Sequence, residues 1–269
     1  MGKIKRRARK ARQPVTPRMI PPVEHWSGDL PDTAEQQFYP SQLIRVNEIN
    51  DIWMELPRYV NHGWWGIWLF AFILLIPLVG FIIFVLEPNV IFLPVLLITL
   101  TLIIFILGTL QAFLLKIVLF EPRGAPLRFN RKRQKVYAYE YQRGIWPWKC
   151  WPVQVKVFDW ADIHAERVQM SGHAEWGHRI YCAVCKPGTC DVVDRFVLTW
   201  TVGDVSAVYG LWSHCCHYME AKPVPKNPLW TDTPRDWTPF TTVRWPEDID
   251  RESSTPPDST GMNITNGKN

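Results

Sequence analysis

The sequence predicts a membrane α-helical hairpin joined to a cytoplasmic α+β domain, an antiparallel sheet of about six strands with a C-terminal amphipathic helix. Three observations carry that expectation. Two uncharged apolar runs, Gly63–Leu86 and Val90–Leu115, stand back to back with only Glu87, Pro88 and Asn89 between them. Basic residues crowd the outer flank of each run. Beyond Lys116, short segments of period two give way to one segment of period 3.6 that stops at Pro223.

A bilayer core about 30 Å thick needs ~20 apolar residues at about 1.5 Å each, and both runs suffice. The break between them has room for a turn alone. Residues 63–86 and 90–115 therefore read as two transmembrane helices, with both ends of the chain on one side. A soluble helical hairpin of this length would show polar residues at helical spacing. Here the polar positions are Thr99, Thr101, Thr109 and Gln111, none of them charged. Pro77 and Pro94 are tolerable kinks in membrane helices, and Gly108 with Ala112 forms a small-residue pair that permits close packing. Trp64, Trp65 and Trp68 fall where an interfacial aromatic belt belongs. Eight Lys or Arg residues and no acid lie between Met1 and Arg18, and nine against two acids from Lys116 to Lys149. Positive flanks stay in the cytoplasm, which places both termini there and the Glu87–Asn89 turn outside. The first run starts too far along the chain, and is too long, for a cleaved signal peptide.

Residues 1–40 are basic and then proline-rich, which predicts a disordered arm. In residues 41–57, Leu43, Ile44, Ile49, Ile52, Trp53 and Leu56 recur at three and four positions, the pattern of an amphipathic juxtamembrane helix closed by Pro57. The cytoplasmic domain is expected over residues 116–221. Leu127–Asn130 and Lys135–Tyr141 read as a hairpin around a basic turn. Val153–Val157, Ile163–Met170, Arg179–Cys185 and Val192–Trp200 complete about six strands, with Pro187-Gly188 as a turn. From Asp204 to Ala221, the residues Val205, Val208, Leu211, Trp212, Cys215, Tyr218 and Met219 share one helical face, with Asp204 as cap. A helix packed across one end of a bent antiparallel sheet satisfies this order, and pleckstrin-homology-like barrels are built that way. Residues 222–269 form a proline-rich tail in which Trp230, Trp237, Phe240 and Trp245 can strap onto the domain. The polar stretch that ends the tail is expected to be disordered.

No GxSxG, Walker-type GxxxxGKS/T, HExxH or strand-linked GxGxxG is present, so the expectation is a protein that is not an enzyme and has no cofactor. All six cysteines fall on the cytoplasmic side, where thiols stay reduced. Cys182, Cys185, Cys190 and His178 have a superficial zinc spacing, but strand alternation splits Cys182 from Cys185, and no metal site is expected. His164 and Glu166 share one strand face and read as polar residues of an edge strand. His214 and His217 flank Cys215-Cys216 on the terminal helix, where Cys215 fits the apolar stripe. The most pointed cluster is Arg123, Arg128, Arg131, Lys132, Arg133 and Lys135, directly after the second run. It reads as a topology signal and as a collar for phospholipid head groups, at ~1 kcal/mol per basic residue. Basic residues beside a membrane helix need no nucleic-acid partner to explain them.

Pro122-Arg123-Gly124 and the run from Leu127 through Phe129-Asn130-Arg131 to Lys135-Val136-Tyr137 follow the hairpin. Leu211-Trp212 and Tyr218-Met219 then lie on a helix ahead of a proline-rich segment. In this combination, over roughly Gln42 to Pro225, the chain resembles a family of two-helix inner-membrane proteins of proteobacteria. That family shares a domain of no assigned function and is commonly encoded near type VI secretion and other polymorphic toxin loci. Ala221-Lys222-Pro223 stands where its members usually carry a Gly-Pro-like step. The resemblance implies a place in the bacterial inner membrane and a protein partner, a toxin, effector or secretion component, served in an immunity or accessory role. It supplies no catalytic residues. The basic collar by itself suggests a lipid-sensing or regulatory membrane module instead. The oligomeric state stays open.

Overall fold

The computed structural model describes residues 16–59, 64–88, 94–172, 176–233 and 240–257. Two helices, α1 (Trp64–Val85) and α2 (Pro94–Phe120), pack against each other. Both are long and apolar enough to cross a membrane. Phe70, Phe72, Ile76, Ile98, Phe105 and Ile106 point outward and are exposed, the inverse of a soluble helix pair. The hydroxyls of Thr99, Thr101 and Thr109 donate to carbonyls four residues back, so they need no water. A Cβ on Gly108 would meet nothing within 4 Å, so the expected small-residue pair is not where the helices touch.

The rest is an α+β domain with two sheets. The five-stranded sheet runs β2 (Glu48–Ile49), β3 (Trp53–Leu56), β4 (Leu127–Asn130), β5 (Lys135–Tyr141), β6 (Val153–Asp159). The four-stranded sheet runs β1 (Trp26–Asp29), β7 (Ile163–Ser171), β8 (Trp176–Cys185), β9 (Val192–Val202). Neighbouring strands are antiparallel throughout. The helices α3 (Val205–Met219) and α4 (Glu247–Ser254) follow. One core joins both sheets to α3. Phe129 meets Trp160 edge-on at 6.0 Å, Trp160 lies 5.5 Å from Trp212, and Phe158 stacks on Phe196 at 5.2 Å. As the cap pattern predicts, Asp204 accepts the N–H of Ser206 at the start of α3.

The segment before the hairpin departs from expectation. Residues 41–57 form no helix; they supply β2 and β3. Strand β3 pairs with β4 in the register Trp53↔Asn130 to Leu56↔Leu127, which turns Met54 and Leu56 into the core. Alternation thus overrides the three-and-four recurrence. Residues 16–40 are not a loose arm either. Met19 and Leu30 are buried, β1 pairs with β7, and Trp212 Nε1 donates to the carbonyl of Pro31 at 2.8 Å. Strand β7 therefore lies inside its sheet, not at its edge. The C-terminal tail also docks: Trp245 meets Tyr139 edge-on at 5.5 Å, and Ser253 of α4 is buried. The folded unit consequently draws on residues from Thr16 to Pro257, beyond the expected 116–221. Lys3–Arg12, Asn89, Trp237 and residues 258–269 lie outside the described residues.

Candidate functional site

Strand β4 decides the fate of the basic collar. Leu127 and Phe129 belong to the core, so alternation sends Arg128 and Asn130 to the other face. The C-terminal segment covers that face. The Arg128 guanidinium lies between the rings of Trp53 (4.4 Å) and Trp245 (4.6 Å). It donates to Glu55 Oε2 at 2.8 Å, Asp250 Oδ1 at 2.7 Å and Ser253 Oγ at 2.7 Å. Asn130 Nδ2 donates to the carbonyls of Ser253 and Thr255, while its Oδ1 accepts the N–H groups of Lys132 and Arg133 and closes the turn. Arg131 holds Asp51 and lies over the Tyr218 ring. Arg133 donates to the carbonyls of Thr255 and Pro256, and Lys135 stands 4.0 Å from Glu252. Most of the expected lipid collar is thus engaged within the protein. Moving Arg128 to a head group would strand the buried Glu55 carboxylate in a dry site, and Arg131, Arg133 and Lys135 are likewise engaged with protein groups. Lys132 is exposed.

Arg123 belongs to a different place. Its guanidinium sits 5.6 Å from the Tyr59 ring centre, at the rim of a cavity. Gly124 makes that approach possible. Its φ of +68° is the left-handed region, and a Cβ there would fall 2.8 Å from the Tyr59 ring. This gives the Pro122-Arg123-Gly124 motif a physical reason.

The cavity runs along the free edge of β9, which among the described residues has only β8 as a strand neighbour. Near the start of β9 the sheets are clasped. Lys156 of β6 reaches Asp194 at 2.8 Å and Glu140 at 3.4 Å, beside the Phe158–Phe196 stack. Beyond this clasp a cavity of about 500 Å³ separates Glu121–Ala125 and Tyr139–Tyr141 from Arg195–Val197 and Trp200. A second cavity of about 290 Å³ continues along Leu198–Gly203, with Ile44–Arg45, Leu56–Tyr59 and Trp230 facing it. Arg58 lines both. Its buried guanidinium donates to the carbonyls of Tyr139 (2.6 Å), Ala125 (2.8 Å) and Val197 (3.1 Å). Burial draws it down to about 10, against the pull of Glu140, and leaves it charged at neutral pH. The result is a groove with, on one wall, a strand edge that has no strand partner among the described residues and whose Val197 carbonyl accepts from Arg58, and with arginine and aromatic side chains on the other. Such a groove can receive an extended chain: the strand edge supplies backbone hydrogen bonds and the cavities receive side chains.

The other candidates are tied into structure. Cys182 is in the main core, whereas Cys185 packs with Met19 on the opposite face; Cys190 is exposed, and His178 lies on β8. Burial holds both the Cys182 and Cys185 thiols up. No group of three or more His, Cys, Asp or Glu side chains is arranged for a metal ion among the described residues. His164 Nδ1 is 2.7 Å from Asp32 Oδ1, and the fully buried Glu166 pairs with Arg195 at 2.9 Å. The two do not form an acid–base pair. His217 Nδ1 meets Ser41 Oγ at 2.6 Å. Arg58 itself carries no distinguishing signal in the sequence, since it precedes an apolar run as any flanking charge does.

The family of unknown function DUF6708 matches residues 104–242. The matched stretch begins within α2 and takes in β4 to β9 and α3, hence the whole β9 wall of the groove, but leaves out Arg58 and α4. No curated protein and no solved structure matches the chain. The family match spans more than half of the chain, and the protein therefore belongs to the DUF6708 family of unknown function.

Proposed function

We propose that this protein is a non-enzymatic membrane protein that acts by binding a protein partner, taking an extended segment of that partner along the free edge of β9. The observation that carries this reading is the groove itself, an open strand edge backed by two cavities and bordered by Arg58, Arg123 and Arg195. Edges of this kind are normally blunted or covered. The outward-facing apolar residues of α1 and α2 support a hairpin in the bacterial inner membrane, and the charge of their flanks supports cytoplasmic termini. Two sheets with α3 packed on them are in keeping with a pleckstrin-homology-like plan. The resemblance noted in the sequence directs the search for the partner to toxins and secretion components, with an immunity or accessory role for this protein. Lipid sensing by the basic collar has less support, because most of its guanidinium groups are engaged within the protein.

A photo-crosslinking amino acid at Trp200 in intact cells tests the reading, with Gln154 on β6 as the reference position. An adduct of defined mass from Trp200 alone supports it. Adducts from neither position, or the same adducts from both, argue against it. Co-expression with any toxin found encoded beside it separates the roles, since an immunity protein restores survival.

A further inference from the structure

The loop between β5 and β6 carries Ile145, Trp146, Trp148 and Trp151 beside Arg143 and Lys149, and several of its apolar residues face outward. Ile145, Trp146 and Trp148 are 88%, 51% and 67% exposed, a density of bare aromatic surface that soluble domains avoid. The loop is nevertheless fixed in place against α2. Lys116 Nζ donates to the carbonyls of Pro147 and Lys149 and lies 4.6 Å from the Trp151 ring centre. Trp151 in turn packs edge-on against Phe113 at 5.5 Å, and its Nε1 donates to the carbonyl of Trp146. Ile67 and Trp68 of α1 join the same cluster.

We infer that this loop is a second membrane contact, seated in the bilayer interface beside the hairpin. The inference rests on the hairpin crossing a membrane and adds where the membrane surface lies. From Pro94 to Phe113, α2 spans ~30 Å at about 1.5 Å per residue, the thickness of a hydrocarbon core. Phe113 to Phe120 then fills the interfacial layer, and the loop is held at that height. Phe240 is bonded to α2 at the same height, its N–H donating to the carbonyl of Leu119, with the residue largely exposed. Tryptophans on a polar–apolar boundary and a lysine whose amine reaches back to carbonyls suit this layer. The loop is packed directly on the apolar helices through Trp151, Phe113, Ile67 and Trp68, which makes lipid its occupant. Held at both the helix ends and the loop, the domain presents the β9 groove at a fixed height above the bilayer.

The protein supplies its own probes, because Cys150 in this loop and Cys190 in the β8–β9 turn are exposed while the other four thiols are buried. The Cys190→Ser and Cys150→Ser full chains, each spin-labelled at the remaining exposed thiol, are reconstituted in phosphatidylethanolamine/phosphatidylglycerol vesicles. Depth is read from collisions with oxygen and with a nickel chelate. The label at Cys150 is expected at or below the phosphates, and that at Cys190 in water, with at least a fivefold difference in the oxygen-to-nickel collision ratio. Flotation after carbonate extraction reports the hairpin separately. A chain that floats but shows both labels in water overturns the loop contact alone. A Cys150 label shielded only in native membranes assigns the loop to a protein partner and overturns it equally. A chain that fails to float removes the hairpin and the loop contact together.

Discussion

Arg58 donates to the carbonyl of Val197 at 3.1 Å, across 139 positions of sequence. The bond ties the segment that enters α1 to the free edge of β9. Two further carbonyls, of Tyr139 and Ala125, converge on the same guanidinium. Replacing it by methionine takes this donor from three carbonyls, one buried and two partly buried. Arg58→Met is expected to cost about 3 kcal/mol, since hydrogen bonds from charged groups are worth about 1.5–3 kcal/mol each and are only partly additive. Thermal unfolding in detergent checks this. Arg58→Lys should rescue little, because one ammonium cannot fan out to three carbonyls as a planar guanidinium does.

Arg128 should govern the docking of α4. It is stacked between Trp53 and Trp245 and bonded to Asp250 and Ser253. Arg128→Ala or Trp245→Ala is expected to free residues 240–257 for limited proteolysis. Trp245→Ala should leave the rest of the domain resistant, at a cost of about 1–2 kcal/mol, the range of a desolvated cation–π contact.

His214 gives the fold a pH limit. Both ring nitrogens are buried without a hydrogen-bond partner, and burial, aided by the nearby His217, pulls its imidazole down to about 4. The unfolded chain takes up that proton near 6.5. Between these values the unfolded state holds more protons, so stability is full above pH 6.5 and falls as the pH drops towards 4. The full effect is about 3 kcal/mol at 1.36 kcal/mol per pH unit. In denaturant titrations at pH 7 and pH 4.5, His214→Leu should show a smaller loss than the parent.

Ala221 is strained where α3 ends. Its φ of +58° lies in the left-handed region that favours glycine. Ala221→Gly is expected to stabilise the protein by about 1 kcal/mol. A higher unfolding midpoint with unchanged denaturant dependence is the expected readout.

The apolar runs and α3 were legible because each is a local pattern: an uncharged stretch, a periodic face, an Asp cap. Strands β4 to β9 were legible for the same reason. The segments that complete the domain were not. Strand β3 reads as a helix because Leu43, Ile44, Ile49, Ile52, Trp53 and Leu56 fit a three-and-four spacing. Its true partner β4 begins 71 positions after Leu56 pairs with Leu127, beyond both apolar helices. The burial of Arg128 was hidden for a related reason. Alternation correctly sends Arg128 outward, but the acids that bury it, Glu55 and Asp250, lie 73 and 122 positions away. The groove is hidden in the sequence for the same reason, since residues from distant segments line it. Arg58 and the β9 edge are unremarkable residues until distant segments bring them together.

In the proposed arrangement the folded domain and its groove hang on one side of a membrane hairpin. The most direct test uses Cys190 in the Cys150→Ser chain, labelled with a membrane-impermeant maleimide. The account predicts labelling in inside-out inner-membrane vesicles and none in intact spheroplasts. Labelling in spheroplasts, or recovery of the chain in the carbonate-soluble fraction, would contradict it.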